Sequence, residues 1–208
     1  MDDYPRGMAY VLINHGWTNV RQAEHWQRKL AVELRRQGHQ VFYPQYPNTQ
    51  EPKFEDWSWL LKSELEILLE TRGDSTDEVI VIGHSLGNVL WLKAALTGVL
   101  PEGFQANRLL MVAPPERTGI SVLPSFDIIE SDEQLRQALR DSAAEITLLG
   151  SDNDPWSPSG LQVAIGDQLG LQAIVIPGAK HLSGSDGWGK WQGVIDWVND
   201  KNADLTIR

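Results

Sequence analysis

At 208 residues, with 41% apolar and 22% charged side chains, the chain has the size and composition of a single folded domain spanning residues 1–208 and is too apolar for a disordered polypeptide. Its 18 basic and 28 acidic side chains give a formal net charge of −10, which argues against nucleic acid or an anionic membrane as partner but leaves small anions open. The absence of cysteine excludes disulfides, a thiolate nucleophile and cysteine metal sites.

The first strand is expected over residues 8–14, an apolar run with a polar end. The run is far too short to span a bilayer and carries no cleavage pattern, so a soluble, cytoplasmic protein is expected. His15-Gly16-Trp17 opens its exit loop. Trp26, Leu30, Ala31 and Leu34 recur at helical spacing and predict a helix over 24–37, ended by Gly38. A second strand, 40–44, leads into the proline-rich loop 44–52. The next helix, 57–71, carries Leu60, Leu61, Leu65, Leu68 and Leu69 on one face. Strand three, 78–82, runs into Gly83-His84-Ser85-Leu86-Gly87, followed by a helix to about residue 97. Strand four, 108–112, stops at Pro114-Pro115. Residues 120–129 read as an irregular excursion, apolar enough to form a small cap over the carboxyl ends of the strands, with a helix following over 133–140. Strand five (145–149), a helix (158–169), strand six (171–176) and a last helix (188–199) complete the chain. Short, unalternated apolar strands with helices between them predict a three-layer α/β fold. It has about six mostly parallel strands, helices on both faces and no large lid domain.

Strand, G-x-S-x-G, helix is the arrangement of a nucleophile elbow, which lifts a serine into a sharp turn at the top of a sheet. Gly83 and Gly87 stand two residues either side of Ser85, where side chains would collide as the turn tightens. In such a sheet functional residues gather at the carboxyl ends of the strands, so the acid and base are sought in exit loops. Strand five exits through Gly150-Ser151-Asp152-Asn153-Asp154-Pro155-Trp156, and strand six through Pro177-Gly178-Ala179-Lys180-His181. Serine, acid, histidine is the chain order of an α/β-hydrolase triad. His181 is expected as general base and Asp154 as the acid that orients it. Asp152 is the rival acid. Pro155 stiffens the chain beyond Asp154 and favours it, and Asp152 is assigned to bracing its own turn.

The backbone N–H groups of Leu86 and Trp17 are expected to form the oxyanion hole, with Gly16 allowing close approach. Trp17 and Trp156 are expected to flank the pocket. Trp26, Trp57, Trp91 and Trp197 are assigned to the core, and Trp59, Trp188 and Trp191 to core or rim. His15 and His84 read as structural, His25 and His39 as surface residues. No two histidines have metal-ligand spacing, and Asp152-x-Asp154 lacks the glycine and later glutamate of a calcium loop, so neither metal nor cofactor is expected.

These pieces, with Tyr43-Pro44-Gln45-Tyr46-Pro47 and the tryptophans at 26 and 57, cover most of the chain in a specific order. In that order the chain resembles the small serine hydrolases of the retinoblastoma-binding-protein-9/YdeN-like family of the α/β-hydrolase superfamily. The resemblance implies Ser85, Asp154 and His181 as the triad, a reduced hydrolase core, and carboxylesterase activity on short acyl esters. The chain departs from the pattern at Asn88, where a small residue is usual, and at Leu182, where phenylalanine is common. A small-molecule acyl ester or thioester is the expected partner. Some family members are described mainly as interaction partners, so a non-catalytic or regulatory module that binds a protein is the alternative. Haloalkane or epoxide hydrolysis would need an aspartate where Ser85 stands.

Overall fold

In the computed structural model, which describes residues 7–208, six strands form one sheet in the order β2-β1-β3-β4-β5-β6. They are β1 (Tyr10–Asn14), β2 (Gln40–Phe42), β3 (Val79–His84), β4 (Ala106–Val112), β5 (Ala143–Ser151) and β6 (Ala173–Ile176). Every strand pair is parallel. Helices α1 (Trp26–Arg36), α2 (Phe54–Arg72), α3 (Leu86–Leu96), α4 (Asp132–Ser142), α5 (Asp167–Leu169) and α6 (Gln192–Asn199) connect them or close the chain. Among the described residues no helix is long and apolar enough to cross a membrane.

The missing alternation in the strand sequences has a physical cause. Successive strand residues point to opposite faces, and each face here has its own core. Tyr10, Leu12, Val79 and Val81 bury with Trp57, Leu61 and Leu65 of α2 and Trp91 of α3. Val11, Ile13, Ile80 and Ile82 bury with Trp26, Leu30 and Leu34 of α1 and Ile195 and Val198 of α6. The result is a three-layer α/β arrangement without a large lid among the described residues. β6 is an edge strand, and its Ile174 and Val175 stay partly exposed. Buried Arg108 of β4 donates to the carbonyls of Trp197 (2.7 Å) and Val198 (2.8 Å), supplying donors that the end of α6 lacks.

Several boundaries differ from the sequence reading. α2 starts at Phe54, directly after the Pro52-Lys53 entry, rather than at residue 57. In the stretch 158–169 Gly160 takes φ +86° and delays the helix, whose turn Gln162–Gly166 is then π-wide before α5. α6 begins at Gln192, because Gly187 (φ +84°) turns the chain and leaves Trp188 outside the helix, packed on Trp191. Trp188 and Trp191 are core residues, whereas Trp59 is 72% exposed. His39 is buried, not on the surface: its Nδ1 accepts the Ala9 N–H at 3.1 Å. The excursion after β4 contains two 3-10 turns, Arg117–Ile120 and Pro124–Phe126.

The register aligns the strand exits. Asn14 pairs with Gly83, His84 with Val112, and Ser151 with Ile176, so the loops that follow β1, β3, β4, β5 and β6 emerge along one edge of the sheet.

Candidate active site

β3 ends at His84 and α3 begins at Leu86, which leaves Ser85 alone in the turn at φ +52°, ψ −125°. Such a conformation in a non-glycine residue costs of order 1–3 kcal/mol and persists only where the surroundings impose it. Here the Ser85 N–H donates to the Val112 carbonyl at 3.0 Å. The Asn88 amide donates to the same oxygen at 2.8 Å. A Cβ on Gly87 would lie 2.5 Å from the Asn14 carbonyl oxygen, and one on Gly83 would overlap Asn88 Oδ1. Asn88 therefore ties the turn to β4 and fills the space above Gly83.

The two glycines should then behave differently. Gly83→Ala is expected to cost about 1–3 kcal/mol by overpacking, most of it recovered when Asn88→Ala is added. Gly87→Ala meets backbone, and Asn88→Ala should not rescue it. Urea unfolding of the single and double variants checks both outcomes.

His181 Nε2 lies 2.8 Å from Ser85 Oγ. Its Nδ1 lies 2.8 and 2.9 Å from the two carboxylate oxygens of Asp154. The Asp154 side chain is 3% exposed and that of His181 13%. A carboxylate facing Nδ1 places the ring proton there and leaves Nε2 free to accept the serine hydroxyl hydrogen. Asp154 Oδ1 also accepts the Trp156 N–H at 2.9 Å, which fixes the carboxylate in its loop.

Asp152 points elsewhere. It accepts the Gly178 N–H at 2.7 Å and so braces the loop after β6, which corrects the assignment to its own turn. It is one of five side chains that hold this loop by its backbone. Asn153 accepts the Lys180 N–H (2.7 Å), and Trp188 donates to the Ala179 carbonyl (3.1 Å). His84 donates to the His181 carbonyl (2.9 Å), and Trp26 to that of Leu182 (2.9 Å). The loop needs this cage, because Lys180 (φ +54°) and Leu182 (φ +53°) both hold positive φ on either side of His181. The carbonyl bond also fixes the His84 tautomer, with its proton on Nε2. These bracing roles had no sequence signal beyond nearness to the motifs, since each partner comes from another strand or helix.

A cleft of about 530 Å³ opens beside Ser85. Gly16, Trp17, Leu86 and Trp156 all line it, as do Ile120 and Leu123 of the excursion. The two indoles meet edge to face at 5.9 Å. The backbone N–H groups of Leu86 and Trp17 donate to no acceptor among the described residues. Gly16 must be small, because a Cβ there would lie 2.8 Å from Ser85 Cβ.

Two further histidines pack around the site. His15 braces its loop: it is buried, and its Nε2 accepts the Tyr46 N–H at 2.9 Å. His25 corrects the surface assignment: it is buried, caps α1 through Nδ1, and packs against Trp26 and His84. Burial disfavours the charged ring and lowers both to about 4. Burial pushes His84 well below the ordinary histidine value too.

Depressed histidines give the folded state fewer protons than the unfolded state between pH 6.5 and about 4. Their contribution to stability is complete above pH 6.5 and is lost as pH falls through that window. The loss should approach about 1.4 kcal/mol per pH unit for each buried ring. Urea midpoints at pH 7, 5.5 and 4.5 check this, and a flat profile would contradict neutral burial.

A six-stranded parallel sheet, with a serine turn after its third strand and an acid and a histidine in the last two exit loops, is the α/β-hydrolase fold. The chain belongs to the serine hydrolase family, whose model matches residues 11–200. Among solved structures it is similar to the ydeN gene product of B. subtilis, at 20% identity and a TM-score of 0.70 over 92% of this chain and 97% of that one. A YdeN-like protein of Pectobacterium atrosepticum matches at 17% identity and a TM-score of 0.68, covering 97% and 94% of the two chains. A soluble variant of monoglyceride lipase from Saccharomyces cerevisiae shares the fold at 13% identity and a TM-score of 0.62, covering 96% and 88%. A search of curated proteins gives no match.

Proposed function

We propose that the protein is a single-domain carboxylesterase that cleaves small or medium acyl esters through an acyl-enzyme. Ser85 is the nucleophile, His181 the general base and Asp154 the acid that orients it. The observation that carries this reading is the unbroken hydrogen-bonded chain Asp154–His181–Ser85, set in the wall of a cleft.

In this mechanism His181 Nε2 takes the proton of Ser85 as Oγ attacks the ester carbonyl. The carbonyl electron pair moves onto oxygen, and the free N–H groups of Leu86 and Trp17 stabilise that oxyanion. The tetrahedral intermediate collapses, the C–O bond to the alcohol breaks, and His181 gives its proton to the departing oxygen. Water then attacks the acyl-Ser85 ester with His181 again as base, releasing the acid. Asp154 keeps its charge throughout and stabilises the imidazolium. A thioester would pass through the same steps with sulfur leaving.

A series of 4-nitrophenyl esters of increasing acyl length tests the reading. Turnover of the short and medium esters is expected. A folded protein that turns over none of them overturns the proposal.

A further inference from the structure

The lining of the cleft falls into two groups of residues: Trp17 meets Trp156, on which Gly119 packs, and Gly184 packs on His25. Trp17, Pro115, Ile120, Leu123 and Trp156 make one of them apolar. Asn19, Gln22 and His25 from the β1 exit loop, with Ser183, Ser185 and Asp186 beyond His181, make the other polar. Acid–base chemistry decides what each wall meets. The imidazole that receives the Ser85 proton must deliver it to the leaving atom, so the leaving group lies on the His181 side. The polar segment that follows His181 therefore borders the leaving group, and the acyl group faces the aromatic and aliphatic wall. Trp156, with its ring 6.2 Å from the imidazole, stands where the walls meet.

The charge on this lining is one-sided. No lysine or arginine lines the cleft, and Asp186 is its one carboxylate among the described residues. Cations on nearby segments lie outside the lining and hydrogen-bond to other groups. Arg21 donates to the Tyr43 carbonyl and to Gln45, and Arg28 to the Arg21 carbonyl. Arg117 donates to the Glu130 carbonyl, and Arg208 stacks over Trp188. Among the described residues Lys180 is the one cation within 4.0 Å of Asp186, with its own side chain 63% exposed and screened by solvent. His25 adds hydrogen bonding without charge. Its Nδ1 accepts the Gln27 N–H, which leaves its proton on Nε2 without a partner among the described residues. Asn19 is 5% exposed, its Oδ1 accepts the Arg21 N–H, and its Nδ2 has no partner among the described residues. An unpartnered buried donor in a cleft wall is suited to a hydrogen-bond acceptor on the ligand.

We propose that this site selects by the charge of the leaving group. It accepts an apolar acyl group joined to an uncharged or cationic hydrogen-bonding leaving group and rejects polyanionic ones such as coenzyme A, with Asp186 as the specificity-determining residue. The inference rests on the ester-hydrolase reading and adds the substrate class. A like charge brought beside Asp186 in a partly dry cleft is repelled more strongly than in water, and the net charge of −10 adds repulsion at long range.

The test holds the butanoyl group constant and compares 4-nitrophenyl butanoate, the neutral butanoyl thioester of N-acetylcysteamine, butanoylcholine and butanoyl-coenzyme A at low ionic strength. Failure to turn over any of the four, the activated nitrophenyl ester included, overturns the ester-hydrolase reading itself. Where that ester is turned over, kcat/KM for the neutral thioester is expected to exceed that for the coenzyme A thioester by at least about tenfold, and this gap narrows with added salt. Asp186 Oδ2 accepts the Ser183 N–H at 3.2 Å and the Ser183 hydroxyl at 2.7 Å, so Asp186→Asn keeps an oxygen acceptor for both and is expected to lower the choline-to-coenzyme A ratio by at least about threefold. A ratio of two substrates on one protein does not depend on how much of it is folded. Equal turnover of the neutral and coenzyme A thioesters, or a choline-to-coenzyme A ratio unmoved by Asp186→Asn, overturns the proposal.

Discussion

Ser85→Ala is expected to lower kcat/KM for an acyl ester by about 10⁵-fold and to leave the fold intact. On the proposed mechanism the substitution removes the atom that forms the acyl bond, so His181 and the oxyanion donors have no covalent step left to assist. What remains is binding plus stabilisation of slow attack by water, which keeps some advantage over the uncatalysed reaction. Stability should change little. The positive-φ turn is imposed by the Val112 carbonyl and the two glycines, and alanine meets the same constraint as serine. The lost Oγ–Nε2 hydrogen bond is worth about 1 kcal/mol. Steady-state kinetics on purified variant, with urea unfolding alongside, separates lost chemistry from lost protein. Activity within tenfold of the parent would contradict the role assigned to Ser85.

Asp154→Asn is expected to cost about 10⁴-fold in kcat with little change in KM. The amide preserves shape but carries no charge to stabilise the imidazolium, and it can donate to Nδ1, which favours the wrong tautomer. Asp152→Asn supplies the contrast. Its oxygen can still accept the Gly178 N–H, so the loop after β6 stays held and the loss should remain below about tenfold. The two variants differ by two positions in one loop and need the same assay. Equal losses would mean that the acid has been assigned to the wrong residue.

That contrast also marks how far the sequence reaches. Residues 8–14, 78–82 and 108–112 declare themselves as strands, because burial on both faces leaves unbroken apolar runs. The glycines around Ser85 follow from the crowding of a strand–turn–helix. Asp152 and Asp154 enter the same exit loop by sequence, but which one reaches His181 depends on how β5 and β6 lie side by side. The cage around the His181 loop is hidden for the same reason, since Trp26 and His84 come from distant elements. His25 and His39 read as surface residues because a polar residue beside a helix usually is one. Both are buried because backbone N–H groups at chain junctions needed an acceptor. Helical periodicity could not separate the π-wide turn before α5 from an α-helix, nor detect that Gly187 keeps Trp188 out of α6.

On the proposed mechanism His181 and Asp154 activate Ser85 as a nucleophile, and covalent labelling reads that activation at the serine itself. Treated with a fluorophosphonate, the folded protein is expected to gain one adduct, located on Ser85 by peptide mass spectrometry, with esterase activity lost in parallel. His181→Ala should abolish the labelling. A folded protein that stays unlabelled, or an adduct on another residue while Ser85 is unmodified, would rule Ser85 out as the nucleophile.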